Sequence, residues 1–404
     1  MDPPLVSRSW SRRKTYDRQL RRSMEMDRFP VAQEGLLYHC ALDDAKRRNL
    51  ARQRATPSYL RRGEPALPHI LHVGVTTLCN LHCPACPTGT TALGRPGEHL
   101  DFDLFRRVVD ELRESLMFML FWDWGEPLLH PRLPEMIRHA AESRIMTVIS
   151  SNGSFANAKS RMEKLVEAGP SVLIVCVDGA DQQTYEQYRV GGRLDRVMET
   201  LDGVVRAKQQ LGTPYPVVEF RSLAMRQTQE QLPRLLTMAE DIGADLFSVK
   251  TMRPYDYRGH EIDEEMVPSS GELRRYEYHG VEGPSSGSRI EVARRGRLRC
   301  AKPHHAPTLN SDGELAFCSY ARYPLESFGT LEGTTFRGLW SDKRSRGIRR
   351  RFQRFGGSRA CMTCYFRNGQ SPTIIHQVPL RPFPGDITAR WPESRDEFLR
   401  VVSG

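Results

Sequence analysis

An α/β fold with parallel strands follows from three observations in the 404-residue chain. Short, wholly apolar runs recur from residue 69 onward, segments of helical length and amphipathic pattern separate them, and several of those segments end in glycine. The runs are HILHVGVTT (69–77), FMLFWDW (118–124), IMTVISS (145–151), SVLIVCV (171–177), PVVEFRSLAM (216–225) and ADLFSVKTM (244–252). Runs apolar throughout belong to strands buried on both faces, the pattern of parallel sheets with right-handed helical crossovers. The first helix is expected in FDLFRRVVDELRESL (102–116), with Leu104, Val108, Val109 and Leu112 along one face. RLPEMIRHAAES, NAKSRMEKLVEAG, RLDRVMETLDGVVRAKQQLG and QEQLPRLLTMAEDIG supply the others. Six such units in register fit an open doubly wound sheet or a partial barrel, and in either case ligands collect at the carboxyl ends of the strands.

The rest of the chain divides around this core. Residues 1–66 are polar and arginine-rich and read as a basic N-terminal extension, 67–255 as the core, and 256–299 as a linker or lid. Residues 300–372 hold four late cysteines, and the C-terminal tail, 373–404, has scattered prolines and no interpretable period. TLNSDGELAFC (308–318) reads as a hairpin turning at Asp312 and Gly313. Hydrophobic residues at 39% and charged residues at 27% are a globular rather than a disordered balance. No stretch approaches the roughly 18 apolar residues of a membrane span. The start, MDPPLVSRSWSRRK, is basic but lacks an apolar core, so a cytoplasmic location is expected.

The formal charge of +10 concentrates in residues 8–23 and 343–355, which read either as solvated helix faces or as a nucleic-acid surface. In the second run Phe336, Leu339, Trp340, Ile348 and Phe352 recur at helical spacing, so its arginines are expected to face outward.

Nine cysteines in such a chain point to metal ligands or catalysis before disulfides. Cys79, Cys83 and Cys86 form one set (CNLHCPAC), Cys300, Cys318, Cys361 and Cys364 another, and Cys40 and Cys176 stand apart. Four thiolates close a zinc site or an iron–sulfur cluster, whereas three on a cubane leave one iron open to a substrate or cofactor. Glycine-bearing loops follow the other strands: Gly125, Glu126 and Pro127 (GEP), then Ser151 and Asn152 (SNG), then Asp178 with Gly179. A zinc knuckle with His82 as fourth ligand is the alternative for the first set; it is cramped by Cys83 and leaves those loops unexplained.

CNLHCPAC, GEP (125–127), SNG (151–153) and VDGADQQTYEQYRVGG (177–192) together resemble the signature of the radical S-adenosylmethionine (SAM) superfamily, over roughly Pro68 to Arg367. The resemblance implies a partial (β/α)6 TIM-like barrel and a SAM-binding [4Fe-4S] cluster on Cys79, Cys83 and Cys86. It implies reductive cleavage of SAM to a 5′-deoxyadenosyl radical, with electrons from an external donor such as flavodoxin or ferredoxin. By the same resemblance Gly125 and Glu126 hold the SAM amine, Pro127 shapes that loop, and Ser151 and Asn152 lie near its methionine or ribose. Asp178 belongs to the same rim, and Arg189 is a fork donor suited to the SAM carboxylate. The chain departs from the family at Ala85, where an aromatic residue often packs near the adenine.

The second cysteine set and FGTLEGTTFRGLW (328–340) resemble the Twitch domain, a shortened SPASM domain, which implies a second, auxiliary [4Fe-4S] cluster; a Cys₄ zinc site is the alternative. The layout is similar to that of the 2-deoxy-scyllo-inosamine dehydrogenases. The expected reaction is therefore oxidation of a carbinol carbon in an aminocyclitol or sugar-like small molecule. An epimerase, a peptide maturase and a zinc-stapled nucleic-acid-binding protein are the other readings, and no membrane partner is expected. Cys176 lies two before Asp178 and so on the same side of its strand, where it is either a hydrogen-atom donor or a small buried residue. Cys40 reads as inert, Tyr185 and Tyr188 as packing, and His304 with His305 as cluster-tuning or surface.

Overall fold

The computed structural model describes residues 27–55, 65–252, 266–273, 278–279, 291–292, 300, 302–319, 327–355 and 374–402. A hairpin, β1 (Arg28–Gln33) and β2 (Leu36–Ala41), and helix α1 (Asp44–Ala55) come first. Strand and helix then alternate: β3 (Ile70–Val73), α2 (Phe102–Leu112), β4 (Phe118–Phe121), α3 (Leu133–Glu142), β5 (Met146–Ser151) and α4 (Ala158–Glu167). The alternation continues with β6 (Val172–Cys176), α5 (Gln182–Tyr188), α6 (Leu194–Leu211), β7 (Val217–Ala224), α7 (Leu232–Ile242) and β8 (Leu246–Thr251). After a short pair, β9 (Tyr278–His279) and β10 (Glu291–Val292), come α8 (Lys302–His305), β11 (Thr308–Leu309), β12 (Glu314–Ala316) and β13 (Ser327–Thr330). Helices α9 (Phe336–Ser341) and α10 (Lys343–Phe355), strands β14 (Ile374–Pro379) and β15 (Ile387–Ala389), and helix α11 (Arg395–Val402) complete it.

The six expected strands, β3 to β8, lie side by side in sequence order and all parallel, which makes the partial barrel. Side chains alternate across it. Leu71, Met119, Ile149, Leu173, Val218 and Phe247 face the helices, whereas Ile70, Phe118, Val148, Ile174, Val217 and Leu246 face the concave side. Helix α2 begins where the Asp101 side chain accepts from the Leu104 amide at 2.7 Å. Its buried face is Phe105, Val108, Val109 and Leu112, so Phe105 takes the core position expected of Leu104, which is only half-buried. That set follows i, i+3, i+4, i+7 spacing, whereas Leu104 sits at the stripe's edge.

The barrel's sheet continues beyond its six strands. The expected hairpin at Asp312 and Gly313 is there, with Gly313 at φ +74° and β11 antiparallel to β12. It does not stand apart as a separate domain, because β11 pairs in parallel with β3 and prolongs the main sheet. At the other edge β14 runs antiparallel to β8. Both outer parallel strands are thus paired, and the sheet's edges pass to β13 and β14.

The segments read as an extension and a tail are structural parts of the molecule. Glu34 (φ +46°) and Gly35 (φ +82°) form the tight left-handed turn that joins β1 to β2. Strand β15 pairs antiparallel with β2, Ile387 opposite Tyr38, to give a three-stranded sheet. This sheet packs into the barrel's concave side: Val31, Leu36, Tyr38, Cys40 and Ile387 join the inner strand residues in one core. Tyr38 lies against Phe118 with ring centroids 4.5 Å apart. Full burial of each such apolar side chain stabilises the fold by about 2 kcal/mol relative to exposure. Cys40, its thiol pushed up to about 12 by burial, donates to Met146 Sδ at 3.7 Å and is packing, as expected of an inert cysteine.

In α9 and α10 the expected apolar residues are buried, but Arg349 is buried with them. It lies 4.3 Å from the Trp340 ring centroid and donates to the Trp340 carbonyl, and burial lowers its pKa to about 10. One arginine of that run therefore faces inward, because the indole face and a free carbonyl receive it. The run 8–23 lies outside the described residues. Among the described residues no helix is long and apolar enough to cross a membrane.

Candidate active site

The loop leaving β3 is held as a closed finger. Thr76 Oγ1 donates to the Glu98 carbonyl at 2.8 Å and Thr77 Oγ1 to the Pro96 carbonyl at 2.6 Å, tying its two arms together. At its tip the Cys86 amide donates to the Cys83 carbonyl (3.1 Å) and the Thr90 amide to the Cys86 carbonyl (3.0 Å). A Cβ at Gly89 would sit 2.6 Å from the Cys83 nitrogen and oxygen, so only glycine lets the turn wind this tightly. Cys83 is buried and Cys79 and Cys86 are half-buried, whereas His82 is exposed. The three thiols thus share a pocket that the His82 ring does not enter. Leu81, Tyr188, Met225 and Met252, with Ala85 and Leu223 beside them, make that pocket apolar.

Two nitrogen donors reach the sulfurs. Arg189 Nη1 lies 3.8 Å from Cys83 Sγ and Asn152 Nδ2 lies 3.9 Å from Cys79 Sγ. Burial pushes the Cys83 thiol up to about 11, against the pull of Arg189. Among the described residues no three His, Cys, Asp or Glu side chains close around a single metal ion; three thiols in one apolar cluster, two of them with an N–H donor at the sulfur, would suit a larger iron–sulfur cluster.

The following loops brace this finger. Gly125 packs so closely that a Cβ there would lie 2.2 Å from the Thr76 carbonyl oxygen, and the Glu126 amide donates to the Leu78 carbonyl at 2.8 Å. Pro127 opens a 3-10 turn, Pro127–Leu129, which the Glu126 side chain caps. The buried Glu126 carboxylate accepts from the Leu128 amide (3.0 Å), Ser151 Oγ (2.8 Å) and the Asn152 amide (2.7 Å). Burial raises its pKa against those three donors. Both oxygens are therefore engaged in joining the β4 and β5 loops. Asp178, fully buried, accepts from Arg189 Nε at 2.6 Å and from the Leu223 amide at 2.7 Å. It reaches the thiols only through Arg189, whose charge is sustained by Asp178 and Cys83 although burial opposes it.

The structure thus brings Cys79, Cys83, Cys86, Gly125, Glu126, Pro127, Ser151, Asn152, Asp178 and Arg189 onto one rim at the carboxyl ends of the strands. Cys300 and Cys318 are half-buried against the helix-side core, and Cys361 and Cys364 lie outside the described residues. His305 stacks on His69 at 5.1 Å, and burial lowers His304 to about 4. Cys176 faces the concave side, its sulfur 3.9 Å from Ser150 Oγ, with its pKa raised by burial.

Several residues here were missed in the sequence. Between the apolar thiol pocket above and the apolar hairpin core below lies a charged layer. Arg221 donates to Glu219 Oε1 (2.7 Å) and to Glu34 Oε2 (2.7 Å), Ser248 donates to the same Glu219 oxygen, and Lys250 Nζ lies 3.3 Å from Glu34 Oε2. Burial alone would push the Glu34 carboxyl up, but Lys250 and Arg221 hold it down at about 2. Charged residues inside PVVEFRSLAM and ADLFSVKTM were the available signal, as was the alternation around Glu34 and Gly35 in FPVAQEGLLYHCA. Asp123, beside Gly74 at the end of β4, is raised by burial to about 8 although Arg95 and Lys302 oppose the shift. Arg95 itself leaves the cysteine finger to meet Asp312 Oδ2 (2.5 Å) and Glu314 Oε2 (2.8 Å) at the β11–β12 turn.

The thiol finger and its bracing loops fall within residues 73–235. Residues 73–235 match the family model described as "Radical SAM superfamily", and this stretch of the chain is a radical SAM domain. Such domains work with a [4Fe-4S] cluster and SAM. Among characterised relatives, the AdoMet-dependent heme synthase of Methanosarcina barkeri is 26% identical over 198 residues, 49% of this chain and 54% of the relative. The PqqA peptide cyclase of Granulibacter bethesdensis is 28% identical over 199 residues, again 49% of this chain and 51% of the relative. The chain therefore spans about half the length of these relatives. Among solved structures, Streptococcus suis SuiB shares the fold with a TM-score of 0.54 at 13% identity, over 88% of this chain and 85% of that one.

Proposed function

We propose that this radical SAM enzyme oxidises a carbinol carbon of an aminocyclitol or sugar-like small molecule. The observation that supports the reading is the three-thiol finger at the carboxyl ends of the strands, together with the charged side chains of Glu34, Glu219, Arg221 and Lys250 on the concave side of the same barrel. When bound, the cluster and SAM supply one electron and a carbon radical strong enough to remove a hydrogen atom from an unactivated C–H bond. The protein's part is to bind, orient and exclude water. Cys79, Cys83 and Cys86 hold the cluster, with Arg189 and Asn152 donating to its sulfurs. The Gly125 main chain meets the SAM amine, in a loop that Glu126 and Pro127 keep in place and Ser151 ties to the next. Arg189, aimed by Asp178, meets the SAM carboxylate. Tyr188, Met225 and Met252 give the adenine the apolar surface that Ala85 does not.

Oxidation of a carbinol requires loss of the C–H hydrogen atom, the hydroxyl proton and one further electron. Cys300, Cys318, Cys361 and Cys364 would hold a second [4Fe-4S] cluster in this reading, and a cluster with no open corner would supply a place for that electron. An epimerase is the second reading, favoured by the inward-facing Cys176 thiol. A peptide substrate, as the name of the PqqA peptide cyclase gives for that relative, is a third. Turnover of candidate substrates in deuterated water separates them. A ketone with no deuterium fixed at the reacting carbon supports oxidation. One deuterium at an inverted centre, lost in Cys176→Ala while 5′-deoxyadenosine still forms, replaces it with epimerisation.

A further inference from the structure

We propose that Glu34 and Lys250 form a hydroxyl-recognition pair on the floor of the barrel lumen, binding a polyhydroxylated small molecule beneath the SAM site. The inference rests on the proposed function only in taking the lumen as the substrate's place. Arg221 is 4% exposed and its three nitrogens are engaged by Glu219, by Glu34 Oε2 and by the Glu34 carbonyl. It has nothing further to offer a ligand. Lys250 differs. Its side chain is 30% exposed, and a single acceptor, Glu34 Oε2 at 3.3 Å, leaves two N–H donors open. Glu34 is ionised, with Oε1 unpartnered among the described residues. Two donors thus stand beside one spare carboxylate oxygen.

A hydroxyl group both donates and accepts and satisfies such a pair. A simple anion would be repelled by Glu34, and an apolar group would strand both charges without a partner. The position suits a substrate. Lys250 precedes Met252 by two strand residues, about 7 Å, and Met252 lines the pocket of Cys79, Cys83 and Cys86.

The test is calorimetric titration of anaerobically reconstituted, SAM-bound protein with scyllo-inosamine, and with cyclohexylamine as the analogue lacking hydroxyls. Wild type is expected to bind scyllo-inosamine and not cyclohexylamine. Lys250→Met and Glu34→Gln should each weaken binding at least about tenfold, as loss of a hydrogen bond to a charged group does. Glu34→Gln also removes ion pairs that hold the hairpin, so Lys250→Met, which removes a half-exposed ammonium, is the deciding variant, with Lys250→Arg restoring part of the affinity. No binding by wild type, equal binding of both compounds, or unchanged affinity in Lys250→Met overturns the inference. A loaded wild type that forms no 5′-deoxyadenosine would instead sink the proposed function and leave the titration result standing.

Discussion

Two apolar layers face each other across the barrel, and they are built by opposite means. The upper one, around Cys79, Cys83 and Cys86, comes from loops that each follow their own strand, and its key contacts are carried by short motifs. The lower one joins Leu36 and Tyr38 to Ile387, residues almost the whole chain apart, and no local pattern announces the pairing. The difference is one of range: the upper layer gathers the three thiols through local motifs, and the lower layer joins distant parts of the chain against the barrel's concave side.

The largest expected effect tests the upper layer alone. The triple variant Cys79→Ala/Cys83→Ala/Cys86→Ala should form no 5′-deoxyadenosine and retain about four of about eight irons after anaerobic reconstitution. Stoichiometric zinc in place of the remaining iron would remove the auxiliary-cluster reading. On the lower layer, Leu36→Ala should cost about 3 kcal/mol in denaturant unfolding, since a fully buried leucine leaves a cavity. Its SAM cleavage per folded molecule should be unchanged; a complete loss would show that the layers do not act separately.

Arg95→Ala attacks the clasp between the cysteine finger and the β11–β12 turn. A loss of about 2 kcal/mol is expected, below the roughly 3–5 kcal/mol of a broken, fully buried pair because Asp312 and Glu314 keep some contact with water. Lysine there should not restore it, because one ammonium cannot span both carboxylates as the guanidinium fork does.

Asp123 gives a pH-dependent effect of known sign. Its carboxyl ionises near 3.8 in the unfolded chain and at about 8 in the folded one. Between those values the folded protein keeps a proton that the unfolded chain has lost, so stability falls as pH rises through that window and levels off above it. Asp123→Asn removes the penalty. The difference in Tm between variant and wild type should be near zero at about pH 4 and widen toward pH 8; a constant difference would refute the assignment. Smallest is Tyr38→Phe, which deletes a buried hydroxyl without a partner and should be neutral or stabilising by less than about 1 kcal/mol. Loss of stability there would mean that the hydroxyl has a partner after all.

Legibility in the sequence followed the range of the interactions. All six core strands and helices α2, α3, α4, α6 and α7 were readable, because each carries its own apolar period, and so was the turn at Asp312 and Gly313; α5, one short helix within the loop after β6, was not. The rim residues were readable because their motifs are contiguous. Three things were hidden. Helix α2 turns Phe105 inward in place of Leu104, a rotation that packing decides. Residues 28–41 looked like an extension because their apolar partners are supplied by the barrel and by β15. Glu219, Arg221 and Lys250 passed as incidental charges in apolar strands, since their mutual neutralisation with Glu34 exists only in three dimensions.

The pairing of β2 with β15 also orders events on the ribosome. Strand β15 emerges after every strand of the barrel, so a nascent chain already displays its cysteine finger while the compartment beneath lacks its last strand. The order of synthesis thus leaves β2 with a free edge, opposite the barrel, until the last part of the chain has been made.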